Sequence, residues 1–123
     1  MNLVDSSGWL EFITGNKNAA KFLKPLEDSS NLIIPTIVIC EVSKVLFREK
    51  SEQEVLIALA YIHQGKIVNL SPVIAVNASK LSLNHRIPMA DSIILATAQA
   101  YNAIIWTQDE HFARIKNVKY FSV

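Results

Sequence analysis

Four acidic residues carry the chemistry that this sequence offers. Asp5 ends a short apolar segment, Asn2-Leu3-Val4, and Asp109 lies three residues after a second one that closes at Trp106. Asp91 opens a run of small and aliphatic residues leading into that same segment. Glu41 interrupts Ile37-Val38-Ile39-Cys40-Glu41-Val42, on one helical stripe with Val38 and Val45. Each has an ordinary reading. Asp91 suits a helix N-cap, Asp109 in a first helical turn gains about 0.3–1 kcal/mol from the helix dipole, and Glu41 can pair with Lys44 or Arg48 on a solvated edge. Asp5 resists such a reading, because an acid ending a buried strand has no cap to make unless it serves the Ser7 or Gly8 amide. Were the four to converge, two ionised carboxylates about 4 Å apart would repel by roughly 4 kcal/mol at an effective dielectric near 20, against a total stability of about 5–15 kcal/mol. Protonation, lysines or a divalent cation can neutralise such a group. Hard oxygen donors, with no His or Cys at ligand spacing, favour Mg²⁺ or Mn²⁺ over zinc.

The elements that would position these acids follow from local signals. Asn2 to Asp5 reads as a strand, Ser6 and Ser7 cap a short helix to Thr14, and Gly15 closes it. Ala19, Phe22, Leu23 and Leu26 give the stretch from Asn18 to Glu27 helical periodicity, and a turn covers Asp28 to Asn31. Leu32-Ile33-Ile34 is a buried strand, and Pro35-Thr36 starts a helix to about Arg48. Ser51 with Glu54 makes a capping box for a helix ending near Gly65. Lys66 to Leu70 is a third strand, and Ser71-Pro72 opens a helix towards Asn84. After Pro88, Asp91 to Tyr101 is a largely buried helix and Ala103 to Trp106 a fourth strand. Thr107 with Glu110 suggests a capping box for a short helix over Phe112, and Lys119 to Val123 an edge strand. Short, wholly apolar strands alternating with one or two helices predict an α/β fold of three layers, α/β/α, around a mostly parallel sheet of four to five strands. In such a sheet, ligands bind at the carboxyl ends of the strands where the chain order reverses, and three of the chain's four aspartates fall at element ends.

Composition narrows the classes. With 123 residues, 50% hydrophobic and 19% charged, and only 3 Gly and 4 Pro, the chain reads as one packed domain over 1–123 rather than a disordered or low-complexity one. Its longest nearly apolar run, Leu32 to Cys40, is far short of the ~20 residues of a membrane helix. An N-terminus lacking a basic region and meeting a carboxylate at Asp5 argues against a secretory signal, so the expected location is cytoplasmic. Cys40, the only cysteine, reads as a small core residue. His63, His85 and His111 form no pair at ligand spacing and read as surface or loop residues, while Trp9 and Trp106 read as core or interface. The net charge is +1, but setting the four acids aside leaves twelve basic against seven acidic residues, a body of +5. That split suits a polyanionic partner approaching an acidic, metal-loaded pocket. Lys17, Lys21, Lys24, Lys44, Arg48, Arg86 and Lys116 are candidates for phosphate contact.

Four segments taken together resemble the PIN domain family, more narrowly its VapC-type toxins of toxin–antitoxin pairs: Val4-Asp5-Ser6-Ser7, Pro35-Thr36-Ile37-Val38-Ile39-Cys40-Glu41-Val42, Ala90-Asp91-Ser92-Ile93-Ile94-Leu95-Ala96-Thr97-Ala98 and Trp106-Thr107-Gln108-Asp109-Glu110-His111-Phe112. The resemblance spans essentially the whole chain, in order. It implies an endoribonuclease dependent on Mg²⁺ or Mn²⁺, with Asp5, Glu41, Asp91 and Asp109 at the acidic, metal-ligating positions. It places the family's hydroxyls at Ser6 and Thr107, where they would orient water or phosphate. It also implies a homodimer and a VapB-type antitoxin whose C-terminal segment enters the acidic pocket, placing an Arg among the carboxylates. Two rival readings are a phospho-acceptor receiver domain, of similar length but with paired acids after its first strand, and a PIN-like scaffold that binds RNA without cutting it.

Overall fold

The computed structural model describes residues 1–123. Its strands are β1 (Asn2–Val4), β2 (Leu32–Pro35), β3 (Lys66–Val68), β4 (Ile104–Thr107) and β5 (Val118–Tyr120). The helices are α1 (Ser6–Thr14), α2 (Ala19–Glu27), α3 (Thr36–Glu49), α4 (Glu52–Ile62), α5 (Pro72–His85) and α6 (Met89–Ala100), with 3-10 turns at Ser29–Asn31 and Glu110–Phe112. All pairings are parallel, in the order β3-β2-β1-β4-β5. The central strand β1 sets Leu3 opposite Ile33 on one side and Ile105 on the other. Successive strand side chains point to opposite faces, and Leu3 with Val4, like Ile33 with Ile34, are both fully buried. Helices therefore cover both faces, which is the expected α/β/α sandwich. No helix is long and apolar enough to cross a membrane.

The order decides where the site lies. From β1 the chain steps outward through β2 and β3, then crosses over to β4 and β5, so the reversal falls between β1 and β4. The crevice at the carboxyl ends of those two strands is the expected binding position. A receiver domain has the order 2-1-3-4-5 instead, so the topology removes that rival.

Several boundaries differ from the sequence reading, each for a local reason. The N-cap of α1 is Asp5, whose carboxylate accepts the Gly8 N–H, and Ser6 is already helical. Gly15 closes that helix in the left-handed conformation, φ 68°, as expected. Asp91 is not a cap: α6 starts two residues earlier, with Pro88 at the cap, and Asp91 sits inside its first turn. Thr107 and Glu110 form no capping box, because Thr107 ends β4 and Asp109 caps the following turn by accepting the His111 N–H. Helix α4 stops at Ile62 rather than at Gly65, β3 at Val68, and the edge strand is Val118–Tyr120. Cys40 is exposed rather than in the core. It lies two residues, about 200° of helix, from both Val38 and Val42, which are the buried positions of α3. The capping box of Ser51 and Glu54 and the Ser71 cap with Pro72 in the first turn form as read.

Candidate metal centre

The register Val4↔Trp106 places the next residues, Asp5 and Thr107, side by side at the mouth of the crevice. The Asp5 N–H continues the ladder by donating to the Trp106 carbonyl at 3.2 Å. Its carboxylate is 2% exposed and accepts three hydrogen bonds: Ser7 Oγ at 2.7 Å and Gly8 N at 3.0 Å on Oδ1, and Thr107 Oγ1 at 2.6 Å on Oδ2. Glycine at position 8 is what lets the start of α1 pack so closely on β1 and α2. A Cβ there would lie 2.6 Å from Val4 Cγ1 and 2.7 Å from Phe22 Cε1. Burial lifts the Asp5 carboxyl from 3.8 to about 6 despite these donors, and the nearby Asp109 charge adds to the rise.

Thr107 is fully buried and bridges two acids, donating to Asp5 and accepting the Asp109 N–H at 2.9 Å. The loop after it is held by a second polar cluster. Gln108 donates its N–H to Ser7 Oγ at 3.2 Å and its side-chain amide to Glu11 Oε1 at 3.1 Å, while Glu11 Oε2 takes the Asn18 N–H at 2.9 Å. Asn18 in turn donates to Gln108 Oε1 at 3.0 Å and to the Ser122 carbonyl at 3.1 Å. On the other side of the crevice, Ser6 donates to Glu41 Oε1 at 3.0 Å, tying the start of α1 to α3. Burial raises the Glu41 carboxyl, and the Asp91 and Asp109 charges raise it further against the Ser6 bond.

Asp91, 9% exposed in the first turn of α6, is likewise raised by burial and then by Asp109. Its Oδ2 meets His111 Nδ1 at 2.8 Å, and the same nitrogen lies 3.2 Å from Asp109 Oδ1. The Asp91 hydrogen bond raises the His111 pKa, with the surrounding carboxylates adding to it. His111 is exposed, as the sequence reading has it, but its contacts with Asp91 and Asp109 are a role that reading does not give it. Its spacing two residues after Asp109 was visible; its contact with Asp91, twenty residues back, was not. Lys44 and Arg48 do not neutralise Glu41, since the remaining ion pair of the chain joins Arg48 to Glu49 at 3.8 Å.

The structure thus sets Asp109 within electrostatic reach of Asp5, Glu41 and Asp91, and Asp91 within reach of Glu41, with Thr107 bonded to Asp5 and Ser6 to Glu41. Ligand atoms of Asp91, Asp109 and His111 all lie within 4.8 Å of one another. Burial raises the Asp5, Glu41 and Asp91 carboxyls, and neighbouring carboxylates add to the rise; a hard divalent cation would relieve both effects. The donor set fits a divalent cation: carboxylate oxygens, which suit Mg²⁺ or Mn²⁺, predominate, while the single imidazole nitrogen suits later first-row metals.

A family model described as the PIN domain matches residues 3–118. The chain belongs to the PIN domain family. Among solved structures, a toxin–antitoxin complex from Klebsiella pneumoniae is similar to this PIN domain at 26% identity, TM-score 0.84, over 100% of both chains. VapBC2 from Rickettsia felis, bound to a DNA fragment from their promoter, matches at 19% identity and TM-score 0.76 over 98% of this chain and 97% of that one. A VapC toxin from Mycobacterium tuberculosis that cleaves the sarcin–ricin loop matches at 13% identity and TM-score 0.79 over 100% and 98%. At those two identities the likeness speaks for the fold alone. No curated protein matches the sequence.

Proposed function

We propose that this PIN domain, acting as one unit over residues 1–123, is the toxin of a toxin–antitoxin pair and a cytoplasmic endoribonuclease that hydrolyses RNA with Mg²⁺ or Mn²⁺. The observation that supports the reading is the electrostatic contact of Asp109 with Asp5, Glu41 and Asp91, with no Lys or Arg paired to any of the four carboxylates. In it, Asp5, Glu41, Asp91 and Asp109 hold the metal. A divalent cation in such a site neutralises a phosphate oxygen and makes bound water more acidic. The chain's own contribution is orientation. Thr107 and Ser7 hold the two oxygens of Asp5, Ser6 turns Glu41 inward, and the Thr107 hydroxyl fixes the backbone of Asp109. His111 holds Asp91 and Asp109 in place through Nδ1. No side chain in the bowl serves as nucleophile, so water attacks phosphorus, the bond to the leaving oxygen breaks, and that oxygen takes up a proton.

A VapB-type antitoxin and a homodimer complete the proposal. The Klebsiella structure, a toxin–antitoxin complex, supports the first, and a basic antitoxin side chain entering the bowl would supply the counter-charge it lacks. The test is cleavage of single-stranded RNA with Mg²⁺ or Mn²⁺ and with EDTA, followed by analysis of the new ends. Hydrolysis by water leaves no 2′,3′-cyclic phosphate, and Asp5→Asn and Asp91→Asn each abolish cutting while staying folded. Undiminished cutting by both variants, or cyclic-phosphate ends, refutes the reading. RNA binding that persists in EDTA with no product under any metal would leave a non-cleaving scaffold.

A further inference from the structure

Beyond the acidic bowl, one concave surface continues from it along the β4–β5 edge. A cavity of about 450 Å³ opens beside Glu110 and His111 and is walled by His85, Arg114 and Tyr120. It shares His85, Arg114 and Ile115 with a second cavity of about 620 Å³, so the two form one trench. The far cavity has an apolar floor that includes Leu95, Ala98, Ile105 and Ile115. Its rim carries the amides of Gln99, Asn102 and Asn117 together with Lys116. Along α6, Asp91 in the bowl and Gln99 on the rim are eight residues apart, about 12 Å of helix. That is the reach of a few nucleotides of extended strand.

Two features suit this trench to a single nucleic-acid strand. Its charge is the opposite of the bowl's: Arg114 and Lys116 are exposed and basic, with Glu110 the one acid on the walls. Its far end sets the accessible Ile104 and Ile115 beside the amides of Gln99, Asn102 and Asn117, which donate to and accept from base edges. The backbone adds a third feature. The non-glycine residues with left-handed φ are Arg86, Asn102 and Asn117, at 55°, 50° and 61°. Asn102 and Asn117 both sit on the rim, and Arg86 follows His85. Asparagine adopts this conformation readily at turns and helix ends, so these positions shape the rim without strain.

We propose that this trench is the track of the RNA strand beyond the scissile phosphate, with Arg114 and Lys116 on backbone phosphates and the Gln99–Asn102–Asn117 pocket receiving one unstacked base. The inference rests on the ribonuclease reading, and its test separates the two. Fluorescence anisotropy of a labelled ten-nucleotide single-stranded RNA, in EDTA and at several salt concentrations, reads the trench without cleavage. The double variant R114Q/K116Q is expected to weaken binding about tenfold and to lower the slope of log affinity against log salt by about 1.4, since each phosphate contact on a single strand is worth about 0.7. The pair Q99A/N117G, which keeps a residue suited to left-handed φ at 117, is expected to weaken binding about fivefold or more with little change in slope, as loss of a base contact does. Unchanged affinity and slope in both variants overturns the proposal and leaves the trench to another occupant, such as an acidic protein segment. The same RNA is then incubated with Mn²⁺. Trench-dependent binding without cutting keeps the strand site and refutes the ribonuclease reading. Cutting to which the trench variants make no difference does the reverse, and absence of both removes both.

Discussion

Replacing Asp5 by Asn is expected to make the metal-free protein more stable at neutral pH and to remove much of its pH dependence. The wild-type carboxyl titrates near 6 in the fold against 3.8 when unburied, a difference equivalent to about 3 kcal/mol. Because the folded value is the higher one, the folded state holds this proton more tightly. The stability it contributes is complete below about pH 4 and is lost as pH rises through 6. Glu41 and Asp91 are raised as well, so their contributions fall in the same direction, and that of His111 follows at higher pH. An Asn at position 5 keeps an oxygen for the Gly8 N–H and the Ser7 hydroxyl, and its amide can face Thr107 if that hydroxyl turns to accept. At about 4 °C per kcal/mol for a domain of this length, the variant is expected to melt about 10 °C above the wild type at pH 7 in EDTA. The two should converge near pH 4. Scanning calorimetry from pH 4 to 7.5 measures both curves. A variant whose melting temperature falls with pH as steeply as the wild type's would show that burial of Asp5 is not the source of the strain.

Three further outcomes follow from the geometry. Gly8→Ala forces a methyl against Val4 and Phe22 and is expected to cost about 1–3 kcal/mol, read as a lowered urea midpoint; an unchanged midpoint contradicts the close approach. Glu11→Ala leaves the Asn18 N–H and the Gln108 amide without their acceptor; it is expected to cost about 2 kcal/mol or more, with Glu11→Gln milder, and equal effects of the two would discount the network. His111→Ala removes the bond that lowers the Asp91 pKa, so the Asp91 carboxyl, followed by NMR in metal-free protein, is expected to titrate higher than in the wild type.

The fold was legible because its signals are local. Strands of Leu, Ile and Val, the Ser51 capping box and the Ser71-Pro72 pair state their structure within a few residues. Two of the four candidate acids stand out locally, Asp5 because it ends a buried strand and Glu41 because it breaks an apolar helical stripe, although Asp5 also makes an ordinary helix cap to the Gly8 N–H. What the sequence hid is pairwise and distant. Asp5 and Thr107 touch only because β1 lies beside β4 in register, and Ser6 reaches Glu41 across thirty-five positions. The caps misassigned to Ser6, Asp91 and Thr107 share one cause. Capping preference treats Ser, Thr and Asp as near equals, and the site engages those side chains elsewhere. Ser6 bonds Glu41, Asp91 bonds His111, and Thr107 bonds Asp5. Arg114 went unnoticed among the basic residues, since nothing local distinguishes a lysine or arginine on a trench wall from one on any other surface.

Titration calorimetry of Mn²⁺ into the metal-free protein at pH 7 addresses the acidic bowl most directly, without depending on any RNA. Saturable binding to the wild type is expected, weakened at least tenfold in each of Asp5→Asn, Glu41→Gln, Asp91→Asn and Asp109→Asn. Wild-type affinity in Asp91→Asn together with Asp109→Asn, or no binding to the wild type at all, would contradict a metal centre built from these four side chains.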